Sequence, residues 1–135
     1  MNIIIVGCGR VGALLARNLD AKGHHVTVVD QEQMALNRLP PDFHGQTLLG
    51  SGADIDVQRR AGVESADVFV ACTPGDNRNI AASQIAREMF HVPKVVARIN
   101  DPLRVEVFRE LGLETVCPTL LGAELVREAL LGGDT

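Results

Sequence analysis

The sequence predicts a doubly wound α/β fold, one parallel sheet of six strands in the order 3-2-1-4-5-6 with helices on both faces. Three observations carry the prediction. Short β-branched apolar runs alternate with helical segments along the whole chain. Hydrophobic residues make up 46% but aromatics only 3%, with no Trp or Tyr, so Val, Ile, Leu and Ala must build the core, as in strands buried on both faces. The first strand also runs into a glycine-rich turn that opens a helix. Right-handed crossovers then leave few other topologies.

The elements follow in order. Residues 2–6 are an apolar strand that stops at Gly7, and residues 11–19 have helical periodicity that ends near Gly23. Residues 25–29 form a β-branched strand ending at Asp30. Residues 31–39 read as a helix stopped by Pro40-Pro41. Residues 46–49 are a third strand that runs into Gly50-Ser51-Gly52, and residues 54–61 a helix closed by Gly62. Residues 67–71 are a fourth strand and 77–90 a long helix, with Asp76 as its expected N-cap. Residues 94–99 are a fifth strand, and 102–111 a helix ended by Gly112. A sixth strand covers 114–117, and an amphipathic helix covers 119–131 before Gly132-Gly133. The tail 132–135 reads as a stop or the start of a linker. The expected division is a nucleotide domain over 1–118 and a terminal helix with its tail over 119–135.

The net charge of −4 and the absence of aromatic platforms argue against nucleic acid as a partner. No apolar run reaches the roughly 18 residues of a membrane span, and the amino terminus lacks the features of a signal peptide. The expected location is therefore the cytoplasm, with no direct insertion into membrane. Cys8, Cys72 and Cys117 are an odd number, widely spaced and without CxxC, so neither a disulfide framework nor a metal site is expected.

Gly7-Cys8-Gly9-Arg10-Val11-Gly12 is a GxGxxG with a strand before it and a helix after it. Such a motif is weak alone and becomes specific in this context. Gly7 permits the tight turn, Gly9 lets backbone approach a pyrophosphate, and Gly12 lets the helix pack on the strand. The free amides of the helix start then face the phosphates. Asp30 lies 18 residues after Gly12, where a carboxylate accepts both hydroxyls of an adenine ribose and repels a 2′-phosphate. NAD(H) or a plain adenine nucleotide is thus favoured over NADP, with Gln31 beside it in the candidate set. Arg10 can reach a phosphate, or it is a solvated surface arginine.

Gly50, Ser51, Gly52, Ala53 and Asp54 form a small loop able to lie flat on an adenine ring, while Ser51 or Asp54 can also cap the next helix. Cys72, Thr73 and Pro74, with Asn79 further on, follow strand four across the crevice. Asn79 either caps its helix or meets a ribose or phosphate. Arg98 ends strand five on the same side of the sheet. Catalysis is not expected. His24, His25, His44 and His91, with Lys22 and Lys94, all fall at the opposite end of the sheet. The ligand-side loops assemble no acid–base pair, nucleophile or metal cluster.

The chain resembles the RCK domain family, also called KTN or TrkA-N domains, the cytoplasmic regulators of bacterial potassium uptake systems and channels. The resemblance rests on Gly9-Arg10-Val11-Gly12, on Ala61-Gly62-Val63 ahead of Ala66-Asp67, on Thr73, Asp76 and Asn79 at their spacing, and on Val96-Ala97-Arg98. It implies a Rossmann domain that dimerises through its last helix, here 119–131. It implies assembly into a homodimer or higher oligomer under a membrane potassium transporter or channel, at the inner face of the plasma membrane. It also implies NAD(H), ATP, ADP or AMP as a regulatory ligand, lined by Gly7, Gly9, Arg10, Gly12, Asp30, Ser51, Ala53, Asp54, Thr73 and Arg98, with Arg10 near the outer phosphates. Ser51 stands where many members carry Asp. Thr119 follows Pro118 where some carry an acid that binds divalent cations. The resulting expectation is a non-catalytic regulatory domain, and the alternative is the cofactor domain of an NAD-dependent oxidoreductase separated from its catalytic half.

Overall fold

Six apolar strands pair side by side into one all-parallel sheet in the order β3-β2-β1-β4-β5-β6, in a computed structural model that describes residues 1–132. The strands are β1 (Asn2–Val6), β2 (His25–Asp30), β3 (Gln46–Leu49), β4 (Val68–Ala71), β5 (Lys94–Arg98) and β6 (Glu114–Val116). Helices connect them: α1 (Arg10–Ala21), α2 (Gln33–Leu36), α3 (Ile55–Arg60), α4 (Asp76–Gln84) and α5 (Pro102–Glu110), with α6 (Pro118–Leu130) last. The fold class and strand order are those expected from the sequence.

Strand β1 lies at the centre, with Ile3 opposite Val26 of β2 and Val68 of β4. Its alternating side chains serve two cores, as the period of two in a strand requires. Ile3 and Ile5 pack with Ala13, Ala16, Val26, Val28 and Leu36 on one face. Ile4 and Val6 pack with Val57, Phe69, Ala82 and Ala86 on the other. Both faces are thus covered, and Ile5 and Phe69 are fully buried. A third cluster around Ile99 and Val105 seats α5.

Some boundaries differ from expectation for local reasons. The helix expected over 31–39 is one turn, Gln33–Leu36, because Asp30 draws the chain into a bend and Pro40 stops it on the other side. The helix expected over 77–90 is regular only to Gln84 and continues as a π-helical turn over Ile85–Met89. That turn ends before His91, whose φ is 53°. Strand four begins at Val68, and Asp67 just before it donates its amide to the Asn2 carbonyl at 2.8 Å and accepts the Asn2 amide on its carboxylate at 2.7 Å. Helix α6 begins at Pro118 and buries none of its residues. Residues 133–135 of the tail lie outside the described residues. No described helix is long and apolar enough to cross a membrane.

Candidate functional site

The loops after β1, β2, β3 and β4 converge over the β1–β4 junction, where the strand order reverses, and enclose a cleft of about 250 Å³. Crevices at such switch points are where open α/β sheets hold ligands.

The floor is the first turn. Gly7 has φ 105°, a left-handed conformation that side chains disfavour. Its amide donates to the Val29 carbonyl at 2.8 Å, and a Cβ there would stand 2.7 Å from the Cys72 carbonyl oxygen. A Cβ on Gly12 would overlap the Gly7 carbonyl oxygen. Both positions therefore need glycine for the turn and helix to close together. Gly9 is the N-cap of α1 and supplies no side-chain cap. The first amides of the helix are left for a ligand or solvent.

Asp30 ends β2 at one wall. Its Oδ2 accepts the Cys8 amide at 2.8 Å and its Oδ1 accepts the Glu32 amide at 2.9 Å. The carboxylate is therefore fixed against the glycine turn, with lone pairs left for hydroxyl donors. Gln31 and Glu32 continue that wall, and Gly50, Ser51, Gly52 and Ala53 form the facing one. That loop is held from behind. The Gly50 amide donates to the Asp30 carbonyl at 2.9 Å, and Gln58 Nε2 donates to the Gly52 carbonyl at 2.8 Å and to the Ala82 carbonyl at 3.0 Å. Asp54 caps α3, accepting from Asp56 at 2.8 Å and Val57 at 3.2 Å.

The β4 side is built on a buried amide. Asn79 is inaccessible to solvent. Its Oδ1 accepts the Thr73 amide at 2.9 Å and the Thr73 hydroxyl at 2.7 Å. Its Nδ2 donates to the carbonyls of Thr73 and Arg98, each at 2.9 Å. Arg98 donates through Nε to Asn100 Oδ1 at 2.7 Å. Asp76, expected as a cap, is instead the first residue of α4, with Gly75 as the cap. It reaches across to the loop before α5, accepting the Asn100 and Asp101 amides at 2.7 and 3.0 Å. Burial alone raises its pKa. Those backbone donors, the Asn100 side chain and then the Arg104 guanidinium outweigh burial and hold the carboxyl below the ordinary aspartate value.

The two cysteines at this end are thiols at neutral pH. Burial, then the Asp30 charge, push Cys8 up against the opposing pull of Arg38. Burial also pushes Cys72 up, against a hydrogen bond and positive charge from Arg98.

The structure thus brings ten expected residues onto the cleft: Gly7, Gly9, Asp30, Gln31, the four residues Gly50 to Ala53, Thr73 and Pro74. Cys8, Gly12 and Cys72 are buried just beneath it. Arg10 and Val11 lie exposed on the first turn of α1 beside it. Asp54, Asn79 and Arg98 do not line it: Asp54 caps α3, Asn79 is spent on framework bonds, and Arg98 turns its Nε to Asn100. Sequence reasoning missed Glu32, Ala35 and Arg38 of the α2 segment, Arg78 of α4, and the strand-end valines Val6 and Val29. Nothing local marks Arg38, which is brought to the glycine turn only by the shortness of α2. Arg78 falls within the segment that follows β4, and that position is the signal that could have found it. Among the described residues no group of three or more His, Cys, Asp or Glu gathers as a metal site.

A family model described as the TrkA-N domain matches residues 3–119. The Trk system potassium uptake protein TrkA of Streptomyces coelicolor is 46% identical over 131 residues, which cover 97% of this chain and 59% of that protein. The chain thus spans about three fifths of that relative's length. Among solved structures, the Kef CTD of Shewanella denitrificans in its AMP-bound form matches with a TM-score of 0.83 at 24% identity, over 98% of this chain and 82% of that one. The GsuK channel bound to NAD matches with a TM-score of 0.70 at 22% identity, over 87% of this chain and 21% of that one. These two likenesses establish the fold. The family match and the relative together establish that the chain belongs to the TrkA-N domain family.

Proposed function

We propose that this chain is a non-catalytic regulatory domain of a potassium transport system and that it senses an adenine nucleotide in the cleft above β1 and β4. The observation that carries the reading is the placement of Asp30. Its carboxylate is fixed against the glycine turn and faces the Gly50 to Ala53 loop across one cleft. In this arrangement Asp30 holds the ribose hydroxyls, the amides around Gly9 hold the 5′-phosphate, with Arg10 beside them, and the Ser51 loop covers the adenine. AMP, bound by the Kef domain, and NAD, bound by GsuK, share the adenosine 5′-phosphate group, which is the part these residues would read. NAD(H), ATP, ADP and AMP are all candidates on that basis.

A regulatory role is supported by the relative, a potassium uptake protein, and by the position of the titratable groups. His25 and Lys94 begin their strands at the amino edge of the sheet, and His44 is tied to Asp20 there. None approaches the cleft. A ligand that is held without reacting acts through its different affinity for two conformations.

Helix α6 supplies the surface for that response. Leu120, Leu121, Leu125, Val126 and Leu130 are all exposed on it, an apolar face that a second copy of the chain would cover. Domain 1–118 with a crossover helix and tail over 119–135 is the corresponding organisation. A membrane potassium subunit at the cytoplasmic face is the corresponding partner.

The test is calorimetric titration of the chain with NADH, NAD, ATP, ADP and AMP, with light scattering and product analysis on each mixture. Saturable binding with a change of assembly state and no product supports the reading. Turnover of NADH, or a chain that stays monomeric throughout, contradicts it.

A further inference from the structure

The cleft holds two cations that the reading above leaves without a role. Arg38 follows the single turn of α2, and its Nη1 lies 3.9 Å from the point a Cβ on Gly9 would occupy. That places the guanidinium beside the start of α1, where the amides favour an anion. Arg78 lies on the opposite rim, in the first turn of α4. Its Cδ packs 3.7 Å from the corresponding point on Gly75, and the residue lines the same cleft.

Among the described residues four of the eleven arginines pair with an acid. Arg59 pairs with Asp56, Arg87 with Glu88, Arg104 with Asp76 and Arg109 with Glu106. Neither Arg38 nor Arg78 has a carboxylate within 4.0 Å or a side-chain hydrogen bond among the described residues. The cleft does hold acids, Asp30 and Glu32. Asp30 is anchored against the glycine turn by two backbone amides, and it and Glu32 are the charges that oppose a phosphate in the cleft.

We propose that Arg38 and Arg78 bracket the phosphate end of the cleft within one protomer and select nucleotides with two or more phosphates over a nucleoside monophosphate. The proposal rests on the nucleotide reading of the site. A single 5′-phosphate is satisfied by the amides at the start of α1. Further phosphates extend beyond them and need cations on the rims, where guanidinium groups give charge-assisted bonds. Both arginines are exposed, so the effect is screened by salt and is modest per residue. A gain of roughly tenfold in affinity from AMP to ADP or ATP is its expected size.

The experiment is titration of the whole chain with AMP, ADP and ATP at low and at raised ionic strength, for the parent and for Arg38→Ala, Arg78→Ala and Glu32→Gln. Unfolding midpoints are checked for each. The parent should prefer ADP and ATP, and added salt should narrow that preference. Each arginine variant should narrow it by about threefold while moving AMP by less than about twofold, and Glu32→Gln should widen it. Selectivity that is unchanged in both arginine variants overturns the proposal and leaves the AMP site standing. A parent chain that binds none of the three nucleotides overturns the site reading and the proposal together.

Discussion

Asp30 Oδ2 accepts the backbone amide of Cys8 at 2.8 Å, so the acid at the end of β2 and the turn after β1 form one rigid unit before any ligand arrives. Pre-set geometry of this kind lowers the ordering cost of binding. Replacing Asp30 with Ala should lower the affinity for AMP by at least about tenfold, since a charged hydrogen-bond partner of the ribose is lost. It should also cost about 1–2 kcal/mol in stability, from two amides losing their acceptor. Calorimetry and urea unfolding of the variant check both, and unchanged AMP affinity would remove Asp30 from the site.

Gly12 tests the turn itself. A Cβ there would overlap the Gly7 carbonyl oxygen, and neither backbone can yield without moving β1 or α1. Gly12→Ala should destabilise the fold by about 3 kcal/mol. A variant that unfolds at the parent's denaturant midpoint would show that the helix sits further from the turn than described.

Asn79 makes four hydrogen bonds from a fully buried side chain. Asn79→Leu leaves the Thr73 amide and the Arg98 carbonyl without partners, at about 1–3 kcal/mol for each buried group. The expected result is a marked drop in thermal stability, with AMP affinity in the folded fraction changed far less than by Asp30→Ala. The reverse ranking would make Asn79 a ligand contact.

Asp76 gives a pH test. Its folded pKa lies below the ordinary aspartate value because backbone and side-chain donors and Arg104 outweigh the effect of burial. The unfolded value is about 3.9. The ionised carboxylate therefore contributes fully above about pH 4, and the contribution fades as pH falls through the folded value. Asp76→Asn should make the acid limb of the stability curve shallower below about pH 4. Parallel limbs in parent and variant would contradict the assignment.

The sheet order was legible because the β-branched runs, the glycine turn and the crossover rule constrain one another. The turn from Gly7 to Gly12 and Asp30 were legible because each follows a strand at a fixed distance. The sequence misplaced residues whose partners are remote in the chain. Asp76 was expected to cap its own helix, but its partners are Asn100 and Asp101, over twenty residues on. Arg38 escaped notice because Pro40 and the bend at Asp30 shorten α2 and carry it to Gly9. The π-helical turn after Gln84 has no marker in the periodicity of a long helix. Gln58, which ties the Gly52 loop to α4, reads in sequence as an ordinary surface glutamine.

The most direct measurement is an amide NMR titration of the whole chain with AMP. The largest saturable shifts should fall on Gly7, Cys8, Gly9, Asp30, Ser51 and Ala53, with His25 and Lys94 at the far edge of the sheet unmoved. Shifts centred away from the cleft, or none that saturate at millimolar AMP, would contradict an adenine nucleotide site between Asp30 and the glycine turn.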